Sequence, residues 1–316
     1  MTITEFSREI RGISSALIFS HNRPDGDTIG SAMALKKGLL SLGIEADTIC
    51  PAKLPEKYSS FSGAAGFLSE APNKVYDAHI AVDCSTEQMF AHLSALFFSN
   101  KKSFNIDHHV SNTRYAKHNL VVPTASCCEN VLELLKALGV EITPEIAESL
   151  LLGVVTDTGC FGHKNVTAET LVAGSELVRA GADLNSINYR MFKAQPIERA
   201  RLFARAISGL KTYHDGKLAM IFIRQEDFKA TGATQDMTEG FIDYPLSIST
   251  AEVAVSVMET GDKHFKISYR SKGKVNVNEI AATFGGGGHV LASGSMLSGY
   301  FEDVVDKLVF TVGNYL

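Results

Sequence analysis

Nowhere in the 316 residues does an apolar run approach the roughly 18 needed to span a bilayer, and Met1 to Arg11 lacks the apolar core of a secretory signal. CxxC pairs are missing too. The five cysteines, Cys50, Cys84, Cys127, Cys128 and Cys160, are odd in number and sit in apolar segments, which fits reduced thiols and speaks against disulfides or a zinc knuckle. Nor is there an excess of positive charge: 30 Lys and Arg stand against 35 Asp and Glu, a formal charge of −5. Coating a long nucleic acid needs an extended basic surface, so long nucleic acid and membrane are both unexpected as partners. Repeats and low-complexity tracts are absent. The composition left, 45% hydrophobic and 21% charged, is that of a soluble globular chain whose expected compartment is the cytoplasm. A small anionic substrate held by a local patch is compatible with it.

Length favours two domains. The first alternates strands and helices. Ala16 to Phe19 reads as a buried strand, followed by a turn written by Pro24 and Gly26 that carries His21, Asp25 and Asp27. Gly30 and Ser31 open a helix that covers Met33 to Leu40 and ends near Gly43. Ile44 to Cys50, Ala78 to Asp83 and Lys102 to Ile106 read as strands, with a crossover helix over Gln88 to Phe98. This pattern predicts an α/β domain, residues 1–190, with a mainly parallel sheet flanked by helices. Ser126 is the expected N-cap of a helix over Cys127 to Leu138, with Glu129 placed as in a capping box. Pro144 opens a second helix that delivers Thr156-Asp157-Thr158-Gly159. Residues 167–180 and 196–208 read as helices, the latter presenting Arg199, Arg201 and Arg205 as a solvated face within a helical linker, 191–209.

From residue 210 the texture changes to hairpins. His214-Asp215-Gly216 joins two strands, a second pair surrounds Gly261-Asp262, and Val277 to Phe284 reads as a helix. The run Gly285-Gly286-Gly287-Gly288-His289, a strand near Ser295 to Leu297 and a final helix over Glu302 to Val312 follow. Residues 210–316 are thus expected to form a smaller, mixed α+β domain.

Eight polar groups fall at the ends of these elements: His21, Asp25, Asp27, Asp83, Asp107, His108, His109 and Asp157. Each has a bland explanation alone, as a cap or a core histidine. Gathered along one sheet edge they form a carboxylate cluster that repels itself unless cations neutralise it. Asp25, Asp27, Asp83 and Asp157 match the charge of two divalent ions, with His21 and His108 completing the ligand sets. Oxygen and imidazole without thiolate suit Mn²⁺, and ligand type does not firmly exclude Mg²⁺, Fe²⁺ or Co²⁺. Two such ions could share one carboxylate, for which Asp83 is the candidate, and one water, clamping both oxygens of a phosphoryl transfer. Asp107 is expected to hold the His108 imidazole in place.

These residues carry a family resemblance. His21-Asn-Arg-Pro-Asp25-Gly-Asp27 with Gly30-Ser31, Val82-Asp83, Asp107-His108-His109 with Ser111-Asn112, and Thr156-Asp157-Thr158-Gly159 resemble, in order, the four motifs of the DHH phosphoesterases, and the glycine run resembles the signature of their associated C-terminal domain. Within that family the two-domain length is most similar to the bifunctional oligoribonucleases that also act as 3′-phosphoadenosine 5′-phosphate phosphatases. The resemblance implies a Mn²⁺-dependent hydrolase with a site between the domains and Asp107, His108 and His109 in the catalytic machinery, His109 near the scissile phosphate. It also implies substrate contacts from Arg270, Ser271, Gly286, Gly287, Gly288 and His289. Consecutive glycines expose backbone N–H groups, so a phosphate can lie against the chain. After Asp83 the chain reads Cys84-Ser85-Thr86, without the basic residue many relatives place there. His163, Asn165 and Thr167 match the residues that follow the fourth motif. Short oligonucleotides or small nucleotides are the expected substrates. The same residues would serve a phosphodiesterase of cyclic or linear dinucleotides or, outside the enzyme classes, a nucleotide-binding module. Homodimers are common among such folds.

Overall fold

The computed structural model describes residues 1–316. The chain divides into two compact units, Met1–Ala194 and Gln195–Leu316, each built on its own six-stranded sheet.

The first unit opens on a helix that the sequence reading did not anticipate, α1 (Ile3–Arg11), closed at its start by a reciprocal box between Thr2 and Glu5 and burying Phe6 and Ile10. The strand β1 (Ser15–Phe19) follows. Helix α2 (Gly26–Ser41) starts four residues before the expected Gly30, because the Asp25 carboxylate accepts the backbone N–H groups of both Asp27 and Thr28. A short acceptor at the N-cap satisfies donors that have no intrahelical partner. Asp27 therefore lies inside the helix, with its side chain on a buried face. Next come β2 (Glu45–Ile49), β3 (Phe67–Leu68) and β4 (Ala78–Val82). The expected single crossover helix is instead broken: a 3₁₀ stretch, Glu87–Leu93, is interrupted at Ala91 (φ 50°, ψ −124°) before the short α3 (Ser94–Phe98). Strand β5 (Ser103–Asp107) is followed by β6 (His118–Val121), which the sequence did not announce. The helices α4 (Cys127–Ala137), α5 (Pro144–Asp157), α6 (Ala168–Arg179) and α7 (Leu184–Asn188) complete the unit.

All neighbours in this sheet pair in parallel, in the order β3-β2-β1-β4-β5-β6. Its central strands β1, β4 and β5 are buried on both faces, as a sheet covered on both sides requires, although one face of β5 carries Ser103, Asn105 and Asp107. Their carboxyl ends are adjacent, the usual ligand position of an open parallel sheet. On one side α2 and α5 lie against each other over a core that includes Leu35, Leu39, Leu150 and Leu151, each contributing about 1.5–3 kcal/mol by burial. Gly153 permits the approach: a Cβ there would collide with Cys128 Sγ and stand 2.5 Å from Asp27 Oδ1.

The second unit begins with α8 (Ile197–Ser208), and β7 (Lys211–Tyr213) and β8 (Leu218–Ile223) form the expected hairpin, with His214, Asp215 and Gly216 all at positive φ. Two short helices, α9 (Gln225–Thr231) and α10 (Asp243–Ser247), precede the long antiparallel pair β9 (Val253–Gly261) and β10 (His264–Ser271). Then come α11 (Val277–Thr283), β11 (Gly287–His289), β12 (Ala292–Ser298) and α12 (Phe301–Gly313). The order is β11-β12-β10-β9-β8-β7, antiparallel except for β8 with β9. Phe265, Ile267 and Tyr269 point from β10 into the core, while the alternate residues Lys266, Ser268 and Arg270 line the open face. The α8 arginines are not simply solvated. Arg199 covers the Phe241 ring at 4.7 Å, and Arg205 Nε pairs with Asp227 Oδ1 at 2.6 Å.

Candidate metal centre

Strand and helix ends supply every candidate ligand. His21 follows β1, Asp25 caps α2 and Asp27 lies in its first turn; Asp83 comes immediately after β4. Asp107 ends β5, with His108 and His109 next, and Asp157 is the last residue of α5.

These side chains form two groups that share one carboxylate. His21 Nε2 lies 3.4 Å from Asp83 Oδ2 and 3.6 Å from Asp25 Oδ1. His108 Nε2 lies 3.5 Å from Asp83 Oδ1, 3.6 Å from Asp157 Oδ2 and 3.8 Å from Asp27 Oδ2. Asp83 thus turns one oxygen toward each group. The separations are too long for hydrogen bonds, and the ligand atoms of His21, Asp25 and Asp83, of Asp27, His108 and Asp157, and of Asp83, Asp107, His108 and His109 lie within 4.8 Å of one another in each set. Asp83 is only 2% exposed, yet its Oδ1 has no hydrogen-bond partner. A buried carboxylate oxygen without a donor is costly, and this donor set, oxygen and imidazole without thiolate, is what a hard or borderline divalent cation takes. The residues therefore fit a metal ion in either group.

The acidities carry the same mark of excess negative charge. Burial alone would depress His21 and His108, but the facing carboxylates overcome it. Asp25 and Asp83 push His21 up to about 9, and Asp83 with Asp27 pushes His108 up to about 10. Burial and then the charge of Asp83 and Asp25 raise Asp157 to about 7, and burial with Asp83 and Asp157 raises Asp27 as well. Asp25, half-exposed and held by His21 and two backbone N–H groups, is lowered against the opposing effect of its own burial.

Asp107 does not hold His108, as the sequence suggested. The carbonyl of Thr124, 3.1 Å from His108 Nδ1, does that, and no side-chain pattern could have announced a backbone oxygen. Asp107 instead pairs with His109 Nδ1 at 2.8 Å and accepts from Asn112 Nδ2 at 2.6 Å. Strand alternation explains the swap: consecutive residues leave β5 in opposite directions, so Asp107 reaches the residue two positions on. That contact raises His109, whose ring is 39% exposed, and with Asn112 it keeps Asp107 low despite burial.

The helix start at Cys127 is held differently from expectation too. Ser126 makes no side-chain cap and Glu129 turns to Thr170, 3.4 Å away, so the capping box is not formed. The Asp27 carboxylate replaces it, accepting from the N–H of Cys127 at 2.5 Å and of Cys128 at 3.0 Å. His163 Nδ1 and Asn165 Nδ2 both reach the Asp157 carbonyl at 3.2 Å, and Thr167 caps α6, so this trio braces the fourth motif. Asp83 itself sits at φ 57°, a left-handed conformation that costs a non-glycine residue about 1–2 kcal/mol.

In the second unit Arg270 and Ser271 part company. Ser271 is buried and its Oγ accepts from the Gly273 N–H at 3.0 Å, whereas Arg270 lines the open face. There Lys266, Ser268 and Arg270 border a cavity of about 370 Å³. Register puts His289 opposite Ala292 and Ala292 opposite Arg270, one row across three strands on one face. The glycine run is not a free loop. A Cβ on Gly286 would collide with the Gly294 carbonyl, and one on Gly288 (φ 149°) would come within 2.6 Å of the Ala292 carbonyl, so these two glycines serve the close pairing with β12. A Cβ on Gly287 would meet nothing nearer than 3.8 Å. An apolar cavity of about 640 Å³ bordered by Leu120, Leu132 and Val172 contains none of the candidate ligands.

Known proteins resemble this chain over both of its units. Residues 15–154 match the model of the DHH family, N-terminal domain, and residues 215–316 match that of the DHHA1 domain. The bifunctional oligoribonuclease and PAP phosphatase NrnA of Thermus thermophilus is 33% identical over 285 residues, 89% of this chain and 84% of the relative. The protein of the same name from Bacillus subtilis is 27% identical over 310 residues, 97% of this chain and 96% of the relative. The crystal structure of an exopolyphosphatase-related protein from Bacteroides fragilis superimposes with a TM-score of 0.81 at 27% identity, covering 99% of this chain and 96% of that one. With the four motifs in order, both domain models matched and relatives aligned over nearly their full length, the chain belongs to the DHH phosphoesterase family.

Proposed function

We propose that the chain hydrolyses short oligonucleotides to nucleoside 5′-monophosphates, and 3′-phosphoadenosine 5′-phosphate to AMP, with two divalent ions, Mn²⁺ by preference. The observation that carries this reading is Asp83: a buried carboxylate in a left-handed turn, set between two His/Asp groups, with one oxygen unpaired. The names of the relatives from Thermus thermophilus and Bacillus subtilis supply the substrate class.

His21, Asp25 and Asp83 would hold one ion, and Asp27, His108, Asp157 and Asp83 the other. When bound, such ions supply Lewis acidity toward phosphoryl oxygens and acidify water. The rest is done by the chain. His109, whose pKa the Asp107 carboxylate raises, is placed to give a proton to the departing oxygen. Thr124 keeps Nε2 of His108 facing the carboxylates. In the second unit Arg270 and His289, on one row of the open face, bind the part of the substrate away from the scissile bond. The net charge of −5 disfavours long polyanions and fits a short substrate.

The test is a hydrolysis panel with Mn²⁺ and with chelator: 5′-phosphorylated di- to decanucleotides, 3′-phosphoadenosine 5′-phosphate, cyclic dinucleotides and pyrophosphate. Hydrolysis of di- to pentanucleotides and of 3′-phosphoadenosine 5′-phosphate, abolished by chelator, is expected. Turnover confined to cyclic dinucleotides or pyrophosphate would overturn the assignment.

A further inference from the structure

We infer that a cluster of buried Asn105 with half-buried Asn112 and Tyr115 is the positioning device that locks the shared carboxylate of Asp83 and the Asp107–His109 pair into one arrangement. Asp83 is left-handed, and something must hold it there. On its N-terminal side the Asp83 N–H donates to the Ile106 carbonyl at 2.9 Å. On its C-terminal side the carbonyl of Cys84 accepts from Tyr115 Oη at 2.9 Å and from Asn105 Nδ2 at 3.2 Å, and the Asn112 amide, whose two hydrogens go to shorter bonds, stands 3.2 Å from the same oxygen. The turn that aims Asp83 is thereby clamped from both sides.

The same side chains reach the proton-donating pair. Asn112 Nδ2 donates to Asp107 Oδ2 at 2.6 Å, and Asp107 Oδ1 holds His109 Nδ1 at 2.8 Å. Asn105 Oδ1 accepts from Asn112 Nδ2 at 2.8 Å, and Asn105 Nδ2 donates to Tyr115 Oη at 2.9 Å. Asn112 Oδ1 accepts the Arg114 N–H at 2.7 Å, so the amide orientation agrees with every other bond in the cluster. The Tyr115 ring is wedged edge-on between Phe90 and Phe97, at 5.5 and 5.7 Å, which fixes its hydroxyl. Asn105 is fully buried on β5, so it acts only through its neighbours. In such a low-dielectric network the bonds reinforce one another, and displacing one displaces the rest. The cluster therefore ties the residue between the two ligand groups to the residue that moves the proton.

The rate measurement below rests on the phosphoester-hydrolase reading, whereas the ion-affinity measurement does not need turnover. Wild type, Tyr115→Phe, Asn112→Ala and the double variant are compared with Tyr76→Phe, which loses a 2.7 Å bond from a buried tyrosine to Asp47 in the same unit. Folding is checked by circular dichroism and thermal melting. Mn²⁺ affinity is measured by calorimetry, and kcat and KM on a 5′-phosphorylated dinucleotide. Removing partners that orient metal ligands commonly weakens affinity or activity about 10–100-fold. Tyr115→Phe is expected to lower kcat about tenfold and Asn112→Ala about a hundredfold, with KM within about twofold and Mn²⁺ bound about tenfold more weakly. Because Asn112 and Tyr115 both hold Asn105, the double variant should lose less than the product of the single losses. Tyr76→Phe should lower only the melting temperature. A lowered melting temperature in the cluster variants with wild-type kcat and Mn²⁺ affinity would overturn the inference. A wild type that binds Mn²⁺ but leaves the dinucleotide intact would count against the function proposed above, and the affinity comparison would still decide the role of the cluster. Asn112, on a half-exposed loop, keeps the test open should Tyr115→Phe not fold.

Discussion

The ligand-bearing edge of the parallel sheet and the open face of the mixed sheet are built on opposite principles. At the first, each polar group leaves the chain at or next to the end of a strand or helix, all but Asp25 are buried or half-buried, and they meet because β1, β4 and β5 are neighbours. At the second, Lys266, Ser268 and Arg270 alternate along one face of β10, and antiparallel register brings His289 into the row of Arg270. One is an acidic knot with too little positive charge, the other a basic row open to solvent. A parallel edge gathers charged groups at one point, while an antiparallel face spreads polar groups along its strands.

The sharpest way to break this contrast is to remove one residue from each region. Asp83→Ala should abolish hydrolysis, by about a thousandfold or more, because both ligand groups lose their shared carboxylate. Arg270→Ala should raise KM for a dinucleotide about tenfold or more with kcat nearly unchanged and Mn²⁺ content intact. Equal effects on kcat, measured by steady-state kinetics with metal analysis, would erase the distinction between chemistry and grip.

A smaller effect concerns protons. A histidine whose folded pKa lies above its unfolded value of about 6.5 stabilises fully below that value and loses the contribution as pH rises through the folded pKa. His21, raised to about 9, and His108, raised to about 10, therefore make metal-free protein less stable between about pH 6.5 and 10. Asp157, raised to about 7, acts in the same direction from about pH 4 upward, since its neutral form is the one that burial favours. Divalent ions compete with those protons, so the stabilisation by added Mn²⁺ should grow over the same range. Melting curves with chelator and with Mn²⁺ check this, and a chelated protein that gains stability with rising pH would contradict it.

The smallest expected effect lies in the glycine run. Gly286→Ala must push against the backbone of β12 and should cost about 1–3 kcal/mol, whereas Gly287→Ala, with open space, should stay within about 0.5 kcal/mol. Denaturant titration of both variants separates pairing glycines from glycines free to face a ligand.

What could be read in advance follows from the same contrast. The candidate ligands could be singled out because each stands beside its own turn signal at the end of an apolar run. His21, Asp25, Asp27, Asp83, His108 and Asp157 all meet in the structure. The partners of those ligands could not be. Thr124 acts through a backbone oxygen, Asn105 and Tyr115 look like ordinary strand and loop residues, and Asp107 reaches His109 because of strand alternation. The short strand β6 and the broken segment before α3 escaped because neither has a period long enough to register. In the second unit the separation of Arg270 from Ser271 depends on which face of β10 is covered, a matter of packing rather than motif.

The strand order β3-β2-β1-β4-β5-β6 also sets a timetable. Its parallel pairs close only after long crossovers, and the first and last ligands, His21 and Asp157, stand nearly half the chain apart, so no fragment of the nascent sheet can gather them. An ion that meets its full ligand set only in the finished unit contributes little to the folding transition state. It should leave the refolding rate unchanged and slow unfolding, acting as a latch on the completed domain rather than as a template for it.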